Sequence, residues 1–205
     1  GLAQMRRFAE FDYDITAVTI DPGFNGVPNN YDAVARLCEK LDVPFSLVHT
    51  QIGEIVFDIR KEPNPCSLCA NMRRGALHDA AKAAGCNKLA LGHNNDDVIE
   101  TFIMNLFNEG RIGCFSPKTH LDRKDITVIR PLVLAPESQV LSACNRNGFE
   151  IVKSVCPADK TTTRQKTKEF LRDMEHKDKG FKLRMFTALR KSCLLYTSPS
   201  PRDRT

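Results

Sequence analysis

The chain has 205 residues, of which 41% are hydrophobic, so it is long enough to bury one sizeable core with a small appendage. No apolar run approaches the roughly 20 residues that a membrane span needs, and the first residues lack the basic-then-apolar layout of a secretory signal. These features predict a soluble cytoplasmic protein with no membrane partner.

The charge is unevenly distributed along the chain. Residues 151–192 contain 12 Lys or Arg against 5 Asp or Glu, whereas residues 1–150 contain 16 against 19. A basic segment on a slightly acidic body favours a polyanionic partner such as RNA. On charge alone, a solvated surface helix explains the segment equally well.

The first half of the chain predicts two strands and two helices. A β-branched run over residues 15–20 is typical of a strand, and the Asp21-Pro22-Gly23 sequence closes it with a turn. Helical spacing predicts a helix over 31–41, and residues 43–49 fit a second strand. A long helix is predicted over 66–84, ended by Gly85.

The second half continues the alternation. We expect a short strand over 88–91, a helix from about 96 to 108, a strand near 127–130 and a helix over 136–147. Beyond Lys160 the pattern becomes basic and helix-rich. Alternating strands and long helices predict an α/β fold, with a parallel sheet, helices on both faces, and ligands bound outside the carboxyl ends of the strands.

A glycine, a histidine and several acidic residues gather at one predicted strand-to-helix junction. Gly92 allows the backbone to approach a ligand, and His93 is suited to contact phosphate or base. Asp96 and Asp97 at a helix start are suited to hold Mg²⁺ through water while a nucleotide supplies phosphate oxygens. The alternative is that the two aspartates only cap the helix.

The eight cysteines favour ligands or buried thiols over disulfides, because the chain has no export signal. Cys66 and Cys69 are spaced to face one metal, and Arg73 and Arg74 would help keep them as thiolates. Cys156 is the candidate third ligand, since it lies outside any regular apolar pattern. Four other cysteines lie in or beside helical or strand-like patterns and are interpreted as structural: Cys38, Cys86, Cys114 and Cys144.

Three cysteines suit an iron–sulfur cluster with one open iron, or zinc with a fourth ligand such as His78. The Cys-x-x-Cys pair alone leaves zinc, a redox dithiol and a cluster open.

Four motifs together resemble the tRNA 2-thiocytidine biosynthesis family of PP-loop ATPases. They are Asp21-Pro22-Gly23-Phe24, Pro65-Cys66-Ser67-Leu68-Cys69 with Arg73-Arg74-Gly75, Gly92-His93-x-x-Asp96-Asp97-x-x-Glu100-Thr101, and Ile129-Arg130-Pro131-Leu132. The resemblance covers nearly all of residues 1–190, and the combination is more specific than any single motif. Lysidine synthetases resemble the chain around Gly92-His93 but lack the Cys-x-x-Cys pair.

The resemblance implies a two-step reaction on an anticodon-loop cytidine of tRNA. ATP with Mg²⁺ would adenylate the C2 oxygen, and sulfide carried on a 4Fe-4S cluster would displace AMP. It assigns the cluster to Cys66, Cys69 and Cys156. It assigns the nucleotide site to Asp21, Gly92, His93, Asp96 and Asp97, with catalytic roles for Asp96, Asp97 and Cys156.

The resemblance also implies partners and a domain organisation. The tRNA backbone would contact the basic tail, including Arg164, Lys166, Lys168 and Arg172. A cysteine-desulfurase-type relay would donate sulfur, and many members of the family are homodimers. We expect a PP-loop ATPase-like domain over 1–152, a basic helical segment carrying the third cysteine over 153–192, and a non-native stretch over 193–205, which matches a sequencing adaptor.

The chain departs from the family pattern in two places. The Ser-Gly-Gly-Lys-Asp-Ser loop that cradles ATP phosphates does not occur in the sequence, so we expect an N-terminally truncated fragment that lacks the loop and its strand, binds ATP poorly and does not turn over. Cys156 is followed by Pro157-Ala158-Asp159 where the family often has a second Cys-x-x-Cys.

Two further readings compete with thiolation. One is a zinc-stabilised RNA-binding module in which Cys66 and Cys69 are structural. The other keeps the PP-loop fold but changes the chemistry to amidation or lysidine-type adenylation.

Overall fold

The structure, a computed structural model, describes residues 1–26, 29–61, 64–159 and 162–192. The predicted adaptor stretch, 193–205, therefore lies outside the described residues. The chain divides into two compact units that interleave along the sequence: unit 1 comprises Gly1–Gly85 and Asn147–Asp159, and unit 2 comprises Cys86–Arg146 and Lys160–Thr205. This division follows different boundaries from the predicted domains, which stay a prediction.

Unit 1 is built on two parallel strands. Strand β1 (Ala17–Asp21) pairs with β2 (Phe45–His49), in a register that ends with Asp21 opposite His49. The helices of the unit are α1 (Leu2–Met5), α2 (Asp32–Lys40), α3 (Ile52–Glu54) and α4 (Pro65–Ala83), with a 3-10 turn at Phe24–Gly26 and a π-helix at Ile55–Arg60. Both predicted strands and both predicted long helices are confirmed to within two residues at most ends.

The core of unit 1 joins the sheet to α4. Ile20, Phe24, Ile52, Val56 and Cys69 form one buried cluster. Cys156, from the second segment of the unit, packs against the same cluster. The sheet and the first half of α4 are therefore held together by apolar burial, the dominant favourable term in folding.

Unit 2 contains a three-stranded sheet in the order β3-β5-β4, formed by β3 (Lys88–Ala90), β4 (Lys118–Leu121) and β5 (Ile126–Ile129). β3 and β5 are parallel, as predicted, whereas β4 is antiparallel to β5. The sequence did not predict β4 because only Thr119 of this strand is buried, so it lacks an apolar alternation.

The helices of unit 2 are α5 (Asn95–Glu109), α6 (Glu137–Arg146), α7 (Thr163–Lys177) and α8 (Phe181–Lys191). The last two belong to the same core as α5: Leu171, Phe186 and Leu189 are buried in one cluster with Val98 and Ile99. A fully buried Leu or Phe contributes about 1.5–3 kcal/mol. The basic helices are therefore part of the folded unit.

No helix in the four described ranges combines the length and the apolar character that crossing a membrane requires.

Candidate functional site

Asp21 and His49 form a pair at the carboxyl ends of β1 and β2. The Asp21 side chain is 3% exposed, and its Oδ1 accepts a hydrogen bond from the backbone N–H of Gly23 at 3.2 Å. Its Oδ2 lies 3.2 Å from Nδ1 of His49, whose side chain is 61% exposed. The predicted site residue Asp21 is thus a buried acceptor that orients an exposed imidazole.

Two other side chains share this end of unit 1. Burial raises the pKa of the Tyr31 hydroxyl, and the negative charge of Asp21 raises it further, while the Arg73 guanidinium opposes the shift. Arg73 lies one helical turn after Cys69 on α4. The strand ends and the start of α4 therefore lie within electrostatic range of each other.

The three candidate cluster ligands all belong to unit 1. Cys66 is exposed in the first turn of α4, Cys69 is buried one turn later, and Cys156 is half-buried against the same core. All three thiols are free. The structure thus brings together, in one unit, three cysteines that are separated by up to 90 positions in the sequence.

Arg73 acts on Cys69 in the expected direction, but the net pKa shift of both Cys66 and Cys69 is upward. Burial raises the pKa of Cys66, and the charge of Cys156 adds to the effect. Burial also raises the pKa of Cys69, and Arg73 offsets only part of that shift, while Cys156 and Cys66 add to it. For Cys69, desolvation of the thiolate outweighs the effect of Arg73 because this thiol is buried in the apolar core.

The three cysteines are chemically suited to an iron–sulfur cluster, although their side chains are not arranged as a metal site. Cysteine thiols such as these three are the ligands that iron–sulfur clusters use. Among the residues that the structure describes, no group of three or more His, Cys, Asp or Glu side chains is arranged to hold a metal ion. The three cysteines therefore have the chemistry that the cluster needs, and their side chains would have to come closer together to bind it.

His78 does not fit as a fourth ligand for the same ion. Cys69 and His78 lie on one continuous helix, nine positions apart. At 1.5 Å per residue they are separated by about 13 Å along the axis, whereas zinc ligands lie roughly 2 Å from their metal. The zinc reading that used His78 is therefore wrong in that detail.

Gly92 and His93 follow β3 in unit 2. Gly92 is exposed, and a Cβ atom added there would meet no atom within 4 Å. The His93 ring lies 5.0 Å from that of Phe115, and the guanidinium of Arg130 lies 4.8 Å from the same ring centroid. Arg130 also donates to the Ser116 carbonyl at 2.5 Å, so the stack is anchored to the backbone.

Asp96 and Asp97 have different environments at the start of α5. Asp96 is buried, and its Oδ2 accepts from the backbone N–H of Glu137 at 2.7 Å while its Oδ1 accepts from Nζ of Lys182 at 2.9 Å. Asp97 forms a capping box with Asn94, with N–H to oxygen distances of 2.9 and 3.2 Å. Both aspartates therefore do cap helices, Asp97 its own and Asp96 that of α6.

A buried glutamate adds a third carboxylate to this end of α5. Arg164 of α7 lies 2.9 Å from Glu100 and 3.4 Å from Asp97. Burial raises the pKa of Glu100, and the Arg164 charge opposes that shift. Lys168 pairs with Glu137 at 2.6 Å, and this bond raises the lysine's pKa against the opposing effect of its burial. Two residues expected to contact tRNA, Arg164 and Lys168, thus have intramolecular partners.

The sequence did not identify His49, Lys182 or Glu137 as parts of these arrangements. For His49 a signal was present, because it ends the second predicted strand as Asp21 closes the first, and parallel strands place their carboxyl ends at one edge. No comparable signal marks Lys182, which reaches Asp96 from 86 positions away.

The comparisons with known proteins agree on the family. Residues 2–174 match the PP-loop domain family. The chain is 37% identical over 191 residues to the tRNA-cytidine(32) 2-sulfurtransferase of Pelobacter propionicus, covering 92% of this chain and 70% of the relative. It is 34% identical to the enzyme of that name from Geobacter sulfurreducens, with 92% and 74% covered.

A solved structure shows the same fold. It is the U34-tRNA thiolase NcsA from Methanococcus maripaludis with its [4Fe-4S] cluster, which is 24% identical and superposes with a TM-score of 0.72 over 93% of this chain. The chain spans 65% of that protein's length. The family match and the identities above establish that the chain belongs to the PP-loop family and, within it, to the tRNA-cytidine(32) 2-sulfurtransferases.

Proposed function

We propose that the chain belongs to an enzyme for ATP-dependent thiolation of tRNA, which converts an anticodon-loop cytidine to 2-thiocytidine. The family supports the reaction class, since its curated relatives are named as tRNA-cytidine(32) 2-sulfurtransferases. The single observation that carries the proposal in this chain is that three free thiols lie in one unit, with Cys69 and Cys156 at the same core and Cys66 one turn before Cys69 on α4.

Cys66, Cys69 and Cys156 would hold a 4Fe-4S cluster through three thiolates. When bound, the cluster would supply an open iron that carries sulfide. The protein's contribution is to keep these thiols free and to place two of them on the rigid first turns of α4. Cys69 and Cys156 also rest against apolar residues that exclude water from one side of the group.

In unit 2, the residues around the start of α5 are proposed to face the adenine nucleotide with its Mg²⁺. Asp97 is the more available carboxylate, because its side chain is 28% exposed and, within the described residues, its Oδ1 contacts only Arg164, at 3.4 Å. Asp96 is proposed to position the helix start, since each of its oxygens already accepts a hydrogen bond. Exposed Gly92 and half-buried His93 border this helix start in sequence.

The tRNA backbone is proposed to contact the cations of α7 that remain unpaired. Lys166 and Arg172 are exposed and make no ion pair within the part of the chain that the structure describes. Phosphate contacts from such residues supply salt-dependent affinity. A cytoplasmic location, a cysteine-desulfurase-type sulfur donor and a homodimer belong to the same proposal.

The experiment that tests this function is a thiolation assay. Because the sequence has no Ser-Gly-Gly-Lys-Asp-Ser loop, a segment that contains this loop is fused before the chain, and the protein is reconstituted with iron and sulfide without oxygen. Incubation with tRNA, ATP, Mg²⁺ and sulfide, followed by nucleoside mass spectrometry, should show 2-thiocytidine that disappears in Cys69→Ser. Product formation that survives replacement of Cys66 and Cys69 would contradict the proposal.

A further inference from the structure

The pairing of Asp21 with His49 has the form of an oriented imidazole. A carboxylate oxygen only accepts hydrogen bonds, so the contact of 3.2 Å requires the proton on Nδ1 of His49. A histidine fixed in this way presents Nε2 as an acceptor, and buried carboxylates fix histidines so in catalytic and metal sites. Nε2 has no hydrogen-bond partner within the described ranges.

The backbone around the pair is held tightly. Thr50 donates from its N–H and its hydroxyl to the Asp21 carbonyl, at 3.0 and 2.9 Å. Gly53 donates its N–H to the Pro22 carbonyl at 2.7 Å, and a Cβ atom on Gly53 would lie 2.8 Å from the carbonyl oxygen of Gly23. The loops after β1 and β2 therefore pack backbone against backbone, which keeps the position of His49 well defined.

The place of the pair in the fold points to a ligand. Ligands of open α/β sheets bind outside the carboxyl ends of the strands, and Asp21 and His49 are the last residues of their strands. The charges of Asp21 and Arg73 act on the Tyr31 hydroxyl, so Tyr31 and Arg73 lie near this end of the unit. The buried carboxylate of Asp21 orients the His49 imidazole, which is 61% exposed. Nε2 of His49 is therefore a hydrogen-bond acceptor with a fixed direction at the carboxyl ends of the strands.

We propose that His49, oriented by Asp21, is a nucleotide-contacting residue whose Nε2 accepts a hydrogen bond from a ribose hydroxyl or the exocyclic amine of a bound adenine nucleotide. This role rests on the proposed function, because it takes the adenine nucleotide from the thiolation reaction. It adds to that function a residue that none of the four family motifs contains.

Two substitutions separate a ligand contact from a structural role. His49→Asn keeps a donor where Nδ1 lies, so it retains the bond to Asp21 and loses the Nε2 position. His49→Gln places its amide near the Nε2 position and loses the bond to Asp21. His120→Asn is the matched control, because His120 is exposed on β4 and its Nδ1 lies 3.2 Å from the Thr127 hydroxyl.

The probe is AMP, which lacks the β- and γ-phosphates that the Ser-Gly-Gly-Lys-Asp-Ser loop would hold. AMP is titrated into the ¹⁵N-labelled chain while the histidine ring nitrogens are followed by NMR, and thermal unfolding is recorded for each variant. We expect His49 as the Nδ1–H form, an Nε2 signal that shifts with AMP, and an unchanged His120 signal. His49→Asn should weaken AMP binding roughly fivefold, the effect of one hydrogen bond, at an unchanged melting temperature.

Retention of more AMP binding by His49→Gln than by His49→Asn would support the contact. Unaltered AMP affinity in His49→Asn, with a lowered melting temperature in His49→Gln, would show a structural pair and overturn the inference while leaving thiolation intact. Absence of AMP binding by the unaltered chain would overturn the inference, whereas the proposed function is tested separately by the thiolation assay.

Discussion

The two units use their polar side chains in opposite ways. In unit 2, the carboxylates at the start of α5 are matched to cations of α7 and α8, as in the Asp96–Lys182 contact of 2.9 Å. In unit 1, Cys66, Cys69 and Cys156 are free thiols, and of the two ring nitrogens of His49 only Nδ1 has a hydrogen-bond partner among the described residues. The difference indicates that the acidic residues of α5 stabilise unit 2, and it is the basis for proposing that the polar groups of unit 1 bind a ligand.

The largest stability effect should come from Asp96→Ala. This change removes the acceptor for the Glu137 N–H and leaves Lys182, whose side chain is 28% exposed, without its partner. We expect the free energy of unfolding to fall by about 2–3 kcal/mol, since breaking a largely buried pair leaves an uncompensated charge. Urea denaturation measures this loss. An effect below 0.5 kcal/mol, the size typical of surface changes, would show that the contacts of Asp96 with Glu137 and Lys182 do not stabilise the unit.

The paired and unpaired cations of α7 should differ in RNA binding. Lys166→Ala and Arg172→Ala should each lower the salt dependence of tRNA affinity by about one unit of the log–log slope. Arg164→Ala and Lys168→Ala should instead lower stability, because their partners Glu100 and Glu137 lose a counter-charge. Fluorescence anisotropy with tRNA at several salt concentrations distinguishes the two pairs.

Equal slopes for all four variants would mean that the intramolecular pairs open when RNA binds. The contrast between the units would then apply to the free protein alone.

Glu100 should make stability depend on pH. Burial raises its pKa in the folded chain. The contribution of Glu100 to the free energy of unfolding is therefore fully present below the ordinary glutamate pKa, about 4.5, and is lost as the pH rises through the raised pKa. Relative to the unaltered chain, Glu100→Gln should therefore gain stability between about pH 4 and pH 7. Chemical denaturation across that range tests the sign of this pH dependence. Glu39→Gln, at an exposed position of α2, is the control for the loss of a surface charge alone.

The smallest effect should come from an exposed pair. Arg184 contacts Asp178, and their side chains are 57% and 58% exposed. Asp178→Ala should change the free energy of unfolding by no more than about 0.5 kcal/mol, since water screens such pairs. A loss as large as that of Asp96→Ala would mean that burial does not set the strength of the pairs in unit 2.

Much of the fold could be predicted because its signals are local. The β-branched run before Asp21 and the helical spacing that ends at Gly85 both depend on residues close in sequence. β4 could not be predicted, since Lys118, His120 and Leu121 are not buried and its pairing with β5 alone defines it as a strand. Local pattern carries no information about such a partner.

The candidate site was predictable in composition and less so in environment. Spacing located Cys66 and Cys69, but the raised pKa of Cys69 depends on a core that forms from distant segments. Asp96 was expected at a helix start, which is correct, yet its contacts with Glu137 and Lys182 arise only from tertiary packing. These long-range contacts decide which side chains remain available for chemistry.

The most direct test of the account is the iron and acid-labile sulfide content of the chain reconstituted without oxygen, measured for the unaltered protein, Cys156→Ala and Cys144→Ala. We expect about four irons and four sulfides per chain for the unaltered protein and Cys144→Ala, and a clear loss in Cys156→Ala. Zinc without sulfide, or full loading in Cys156→Ala, would contradict the assignment of Cys66, Cys69 and Cys156 as the cluster ligands.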